Sequence, residues 1–157
     1  MTAETCVDLL LVDDNPIDVA FFRRAVRKTG LDIQVRTVTA GQSAIDYLEA
    51  KGEYSDRYLY PLPDVVVLDL RMPEFNGFDF LAWRKASTLF SAIPVIIFTG
   101  SRDEEDIERV LELGANRHIV KPQALQNWET VVRQIWEVAT EGTNFFRAER
   151  SRRAANH

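Results

Sequence analysis

Cysteine is nearly missing from this 157-residue chain, and Cys6 is its only one. A single thiol excludes an internal disulfide and a cysteine-built metal cage. Apolar runs are short, and none approaches the roughly 20 residues that cross a bilayer. Met1 to Val7 has no basic segment followed by an apolar one, so no leader is read there. Positive charge is in deficit: 19 Lys and Arg stand against 24 Asp and Glu, a net charge of −5. That balance argues against nonspecific binding of nucleic acid or of anionic membranes by the domain as a whole. Internal repeats and low-complexity tracts are also lacking. These absences lead to the expectation of a cytoplasmic protein without membrane or nucleic-acid contacts.

What remains is ordinary globular material, 46% hydrophobic, 27% charged and 10% aromatic. The length suits one domain with a real core. Its organising stretch runs from Pro63 to Gly77. Val65 to Leu68 is a β-branched, apolar run too short for a helix, as in a strand buried on both faces of a parallel sheet. Asp69 follows directly, and Pro73 and Gly77 punctuate the loop behind it.

The flanking chain repeats a strand–helix alternation. Val7 to Val12 reads as a strand ending in Asp13-Asp14. Asn15 is placed to cap the next helix, Pro16 suits its first position, and Gly30 ends it. Val19, Phe22 and Val26 share its apolar face. Ile33 to Val38 alternates as a strand near a sheet edge does. Gly41 to Ala50 reads as a helix with Ala44, Ile45 and Leu48 inward. Lys51 to Pro63 is a long connection bearing Tyr54, Tyr58 and Tyr60. A helix from Gly77 to about Thr88 would turn Phe78, Leu81 and Ala82 to the sheet, leaving Phe80 and Trp83 on a neighbouring stripe. Ile93 to Phe98 is another buried strand, ending in Thr99-Gly100. Ser101 to Glu104 resembles a capping box opening a helix with Ile107, Val110 and Leu111 inward and Gly114 at its end. His118 to Val120 is a last short strand, closed by Lys121-Pro122. The final helix, about Leu125 to Thr140, carries more apolar residues than one stripe can bury, Trp136 among them. The tail 141–157 lacks an apolar period and reads as a frayed or docking arm.

Five alternating units call for an α/β fold, a doubly wound five-stranded parallel sheet with helices on both faces. In such a sheet every strand C-terminus lies at one edge, so Asp13, Asp14, Asp69, Thr99 and Lys121 converge there. The strand order 2-1-3-4-5 is borrowed from flavodoxin-like folds; with it, the three aspartates cluster. Lys121 offsets one of their charges, and a hard divalent cation, Mg²⁺ for all-oxygen ligands, offsets more. A carboxylate can attack phosphorus, and phosphoryl transfer needs positioning and charge neutralisation above all. Central Asp69 is the candidate nucleophile. Thr99 and the Gly100 backbone N–H are candidate donors to phosphoryl oxygens.

This set, Asp13-Asp14, Asp69 with Met72-Pro73 and Gly77, Thr99-Gly100 and Lys121-Pro122, resembles the receiver domain of two-component response regulators over roughly residues 7–140. The resemblance implies phosphorylation of Asp69 by a histidine kinase. It implies Mg²⁺ held by Asp14, Asp69 and the Arg71 carbonyl, with Asp13 helping largely through water. It further implies a switch in which Thr99 turns toward the phosphoryl group and an aromatic on the last strand turns inward. That position is His118 here, where Tyr or Phe is commoner, so its titration enters. Arg71 is expected to shade the phosphoryl group and alter its lifetime.

No output domain is read in the tail, so the chain resembles a stand-alone receiver. The Asn15-Pro16 helix start and the tyrosine-bearing loop are similar to small regulators paired with bacterial phytochromes. That would imply a light-sensing kinase partner and a homodimer, with the face of the fourth and fifth helices as the contact. The expected role is a signalling phosphoacceptor, not an enzyme turning over a separate substrate. The alternatives are a receiver that never takes phosphate and serves as a scaffold, and an Asp-nucleophile phosphatase. The latter would want a second Asp two residues after Asp69, where this chain has Arg71.

Overall fold

The computed structural model describes residues 5–141. Strands β1 (Val7–Val12), β2 (Ile33–Val38), β3 (Val65–Leu68), β4 (Val95–Thr99) and β5 (Arg117–Val120) alternate with helices α1 (Pro16–Thr29), α2 (Gly41–Leu48), α3 (Gly77–Ala86), α4 (Glu104–Glu112) and α5 (Asn127–Thr140). All pairings are parallel and the order is β2-β1-β3-β4-β5. The doubly wound flavodoxin-like architecture is therefore the observed one. Only Glu141 of the tail falls within the described residues.

The sheet is buried on both faces because its central strands β1, β3 and β4 are apolar at every position but Asp8 and Thr99. Leu10, Val12, Val66, Leu68, Val95 and Ile97 join residues of α2, α3 and α4 in one core. Leu9, Leu11, Val65, Val67, Ile96 and Phe98 join α1 and α5 in the other. Each fully buried aliphatic side chain contributes about 1.5–3 kcal/mol, so β3, with all four residues at 0% exposure, anchors both layers. β2 lies at an edge, as its alternation predicts, and only Ile33 and Val38 of it are fully buried.

Helix termini follow local chemistry. Asn15 Oδ1 accepts the N–H groups of Ile17 and Asp18, Pro16 opens α1, and Gly30 closes it at φ 71°. Several boundaries differ from the sequence expectation. α2 stops at Leu48, and Ala50 takes a left-handed φ of 56°. The guanidinium of Arg57 reaches back to the Tyr47 and Leu48 carbonyls, supplying partners that the broken helix lacks. α3 ends at Ala86, with Ala82 exposed and Phe80 fully buried, the reverse of their expected places. The segment after α3 brings Phe90 onto Trp83, and Trp83 onto Phe80, so the second stripe is covered. Asp103, not Ser101, caps α4, accepting the Glu105 N–H at 2.9 Å. α5 begins at Asn127, leaving Leu125 in the preceding turn. Trp136 and Val138 are half-buried and pack on the α1–α5 core, which absorbs much of that helix's apolar excess. Tyr54 and Tyr60 close around buried Tyr47, whereas Tyr58 is 91% exposed.

Candidate functional site at the sheet edge

Backbone pairing continues one residue past β1 and β3 and carries on from β5 into Lys121, and this sets the site. The Asp13 N–H donates to Val38 O (3.1 Å), the Asp69 N–H to Val12 O (2.9 Å) and the Lys121 N–H to Thr99 O (2.8 Å). The acids and the lysine are thus fixed by the sheet rather than carried on free loops. Asp13, Asp14 and Asp69 each present a carboxylate oxygen within 4.8 Å of the others. Asp13 and Asp69 are buried, and Asp14 is exposed.

Lys121 crosses this cluster. Its Nζ donates to Asp13 Oδ2 at 2.8 Å, to Asp18 Oδ2 at 2.8 Å and to Asp69 Oδ2 at 3.0 Å. Burial opposes its charge, but the hydrogen bonds of Asp13 and Asp18 and the charge of Asp69 outweigh it and hold the ammonium above its ordinary pKa. One cation cannot satisfy every acid around it. Burial accordingly pushes the Asp13 carboxyl up, against hydrogen bonds from Lys121 and the Asn15 N–H. Trp128 donates its indole N–H to Pro122 O and holds the loop behind the lysine.

Gly77 is required by close approach. A Cβ there would sit 2.8 Å from the Asp69 carbonyl oxygen and 2.9 Å from Leu70 Cα. α3 therefore begins against the backbone of the central aspartate, its start fixed by reciprocal Asn76–Asp79 capping bonds. Thr99 is buried at the end of β4, its hydroxyl accepting the Ser101 N–H at 3.3 Å. A Cβ at Gly100 would meet nothing within 4 Å, so the backbone there is open to an incoming group.

His118 is half-buried, and its Nε2 is buried without a hydrogen-bond partner among the described residues. Burial pushes the imidazole below its usual pKa, against a weaker pull upward from Asp106. Arg71 directs its guanidinium to Asp106 of α4 (2.5 Å) and lies 5.9 Å from the Phe78 ring, while its backbone N–H makes a long 3.5 Å contact to Asp69 Oδ1. The side chain is thus engaged by Asp106 of α4, and the expectation that it shades a phosphoryl group on Asp69 stays a proposal.

The structure thus brings Asp13, Asp14, Asp69 and Lys121 together and sets Thr99 and Gly100 at the adjoining strand end. The sequence reading missed Asp18. It is the third residue of α1, and that helix starts at the same sheet edge, so a first-turn acid there faces the site. It also missed Asp106, which accepts from both Arg71 and Ser101.

A doubly wound sheet with this edge chemistry defines a class of signalling domain. The chain matches the response regulator receiver domain over residues 9–133 and belongs to that family. Among its relatives is the probable methanogenesis regulatory protein FilR2 of Methanothrix harundinacea, 31% identical over 137 residues, which cover 87% of this chain and 86% of that one. The response regulator Rcp1 of Synechocystis is 28% identical over 127 residues, covering 81% and 84%. The crystal structure of its Mn²⁺-bound form aligns with a TM-score of 0.76 at 27% identity, covering 88% of this chain and 98% of that one. The phosphorylated cyanobacterial phytochrome response regulator RcpA aligns with a TM-score of 0.79 at 30% identity, again over 88% and 98%. No helix among the described residues is long and apolar enough to cross a membrane.

Proposed function

We propose that this receiver, spanning residues 7–140, is a cytoplasmic phosphoacceptor switch rather than an enzyme with a substrate of its own. A histidine kinase donates the phosphoryl group and Asp69 takes it. A carboxylate oxygen of Asp69 attacks phosphorus, the phosphorus–nitrogen bond of the donor histidine breaks, and the imidazole leaves with a proton. The observation that carries this reading is the contact of Lys121 Nζ with both Asp69 and Asp13, beside a third carboxylate within 4.8 Å. From that position the ammonium would meet the charge that develops on a phosphoryl oxygen.

The three clustered acids fit a divalent cation, and a Mn²⁺-bound relative supports the fit. Asp14, Asp69 and the Arg71 carbonyl, with Asp13 alongside, would hold Mg²⁺, which supplies charge neutralisation to the transferring group. Thr99 would donate its hydroxyl, and Gly100 its backbone N–H, to phosphoryl oxygens. His118 and Thr99 would then adjust together and reshape the face of α4 and β5.

The likeness to a phytochrome response regulator supports a light-sensing kinase as donor. Self-association through α4 and α5 belongs to the same proposal, and Leu111, 49% exposed on α4, favours it. The test is incubation with phosphoramidate and Mg²⁺ followed by intact-mass measurement. A labile gain of one phosphoryl group, lost in Asp69→Asn and on chelation, is the expected result. No gain at all supports the scaffold alternative, and steady turnover of phosphomonoesters supports the phosphatase.

A further inference from the structure

Lys121 is held by one carboxylate that lies outside the acid cluster. Asp18 Oδ2 accepts from Nζ at 2.8 Å, as short as the Asp13 contact and shorter than the 3.0 Å to Asp69. An ammonium has three N–H bonds, and three carboxylates use them all. A phosphoryl oxygen arriving on Asp69 finds none available, so one acid must release its hold.

The three acids are not equivalent. The Asp13 side chain is 2% exposed, also accepts the Asn15 N–H, and belongs to the metal-competent cluster. Asp69 is the acceptor itself. Asp18 lies outside that cluster, and its side chain is 21% exposed. It sits in the first turn of α1, where the helix dipole and solvent still compensate its charge after the lysine departs.

We propose that Asp18 is a positioning residue that occupies the third N–H of Lys121 at rest and competes for it with the incoming phosphoryl group. This rests on the reading of Asp69 as phosphoacceptor. Asp18 thereby lowers the affinity of the site for a phosphoryl group and sets the poise of the switch, acting through the lysine and from outside the metal-competent cluster.

The test measures binding of beryllofluoride, a noncovalent phosphoryl mimic, to the full chain by calorimetry at saturating Mg²⁺. Asp18→Asn keeps the side-chain size and removes the competing charge. Affinity is expected to rise about five-fold or more, in keeping with loss of one charged hydrogen-bond competitor. The gain should persist in 1 M KCl, where the screening length falls to about 3 Å, because a direct contact is not screened as a distant charge is. Unchanged or weakened binding overturns the proposal, as does a gain that disappears in 1 M KCl. Asp18→Ser, read by the same criteria, replaces the Asn variant if that chain does not fold. Wild-type protein that binds no beryllofluoride overturns the phosphoacceptor reading itself. Wild-type binding with an unaltered Asp18→Asn overturns only the role of Asp18.

Discussion

Gly77 and His118 matter for opposite reasons, one by lacking atoms and one by a buried nitrogen without a partner among the described residues. Alanine at Gly77 drives a methyl into the Asp69 carbonyl oxygen and Leu70. Gly77→Ala is expected to cost about 1–3 kcal/mol, as overpacking does, and to slow phosphoryl uptake because the loop after β3 must shift; urea midpoints and uptake rates check both. For His118 the sign follows from burial, which holds the folded imidazole below its ordinary pKa, with Asp106 pulling the other way. The unfolded imidazole gains its proton near pH 6.5, before the folded one does. The unfolded state therefore binds more protons in that window, and stability falls as pH drops through it. His118→Phe removes that part of the fall and also the Nε2 that has no partner among the described residues. Urea unfolding of both proteins at about pH 7.5 and 5.5 should show a smaller loss in the variant.

At the level of elements, α4 is tied at both ends by residues outside it. Arg71 and Ser101 hold Asp106 in its first turn. At the other end Lys85 donates to Glu112 O, and buried Arg84 donates to Ile93 O and Gly114 O. Arg71 is 64% exposed in this pair, so Arg71→Ala should cost under about 1 kcal/mol globally. Amide exchange in α4 should nonetheless quicken, since a first-turn restraint is lost. Sequence patterns revealed the elements well where one signal dominated. The unbroken apolar run of β3, and the Asn15, Pro16 and Gly30 punctuation of α1, each admit few readings. They failed where a partner distant in sequence decides the outcome. Phe80 is covered by Trp83, itself backed by Phe90, and α2 ends early where Arg57 reaches its carbonyls. The candidate site was legible through strand-end residues, because parallel pairing brings those together whatever the loops do. Asp18 and Asp106 were not, because a helix acid acquires meaning only from what it faces.

For the whole molecule, the balance of the site is that of several acids around one lysine. Mg²⁺ should therefore stabilise the fold by mass action, by about 2.7 kcal/mol at a hundred times its dissociation constant. Melting temperatures with Mg²⁺ and with chelator measure the difference, and Asp14→Asn should shrink it. The lysine clasp has a further consequence, which concerns when the molecule becomes competent. Asp13 and Lys121 are 108 residues apart, and Lys121 follows the last strand of the sheet. A chain still emerging from the ribosome displays its carboxylates long before the ammonium that gathers them exists. If Asp69 is the phosphoacceptor proposed above, signal reception is expected only of polypeptides translated through the fifth strand, and fragments that stop earlier should stay silent.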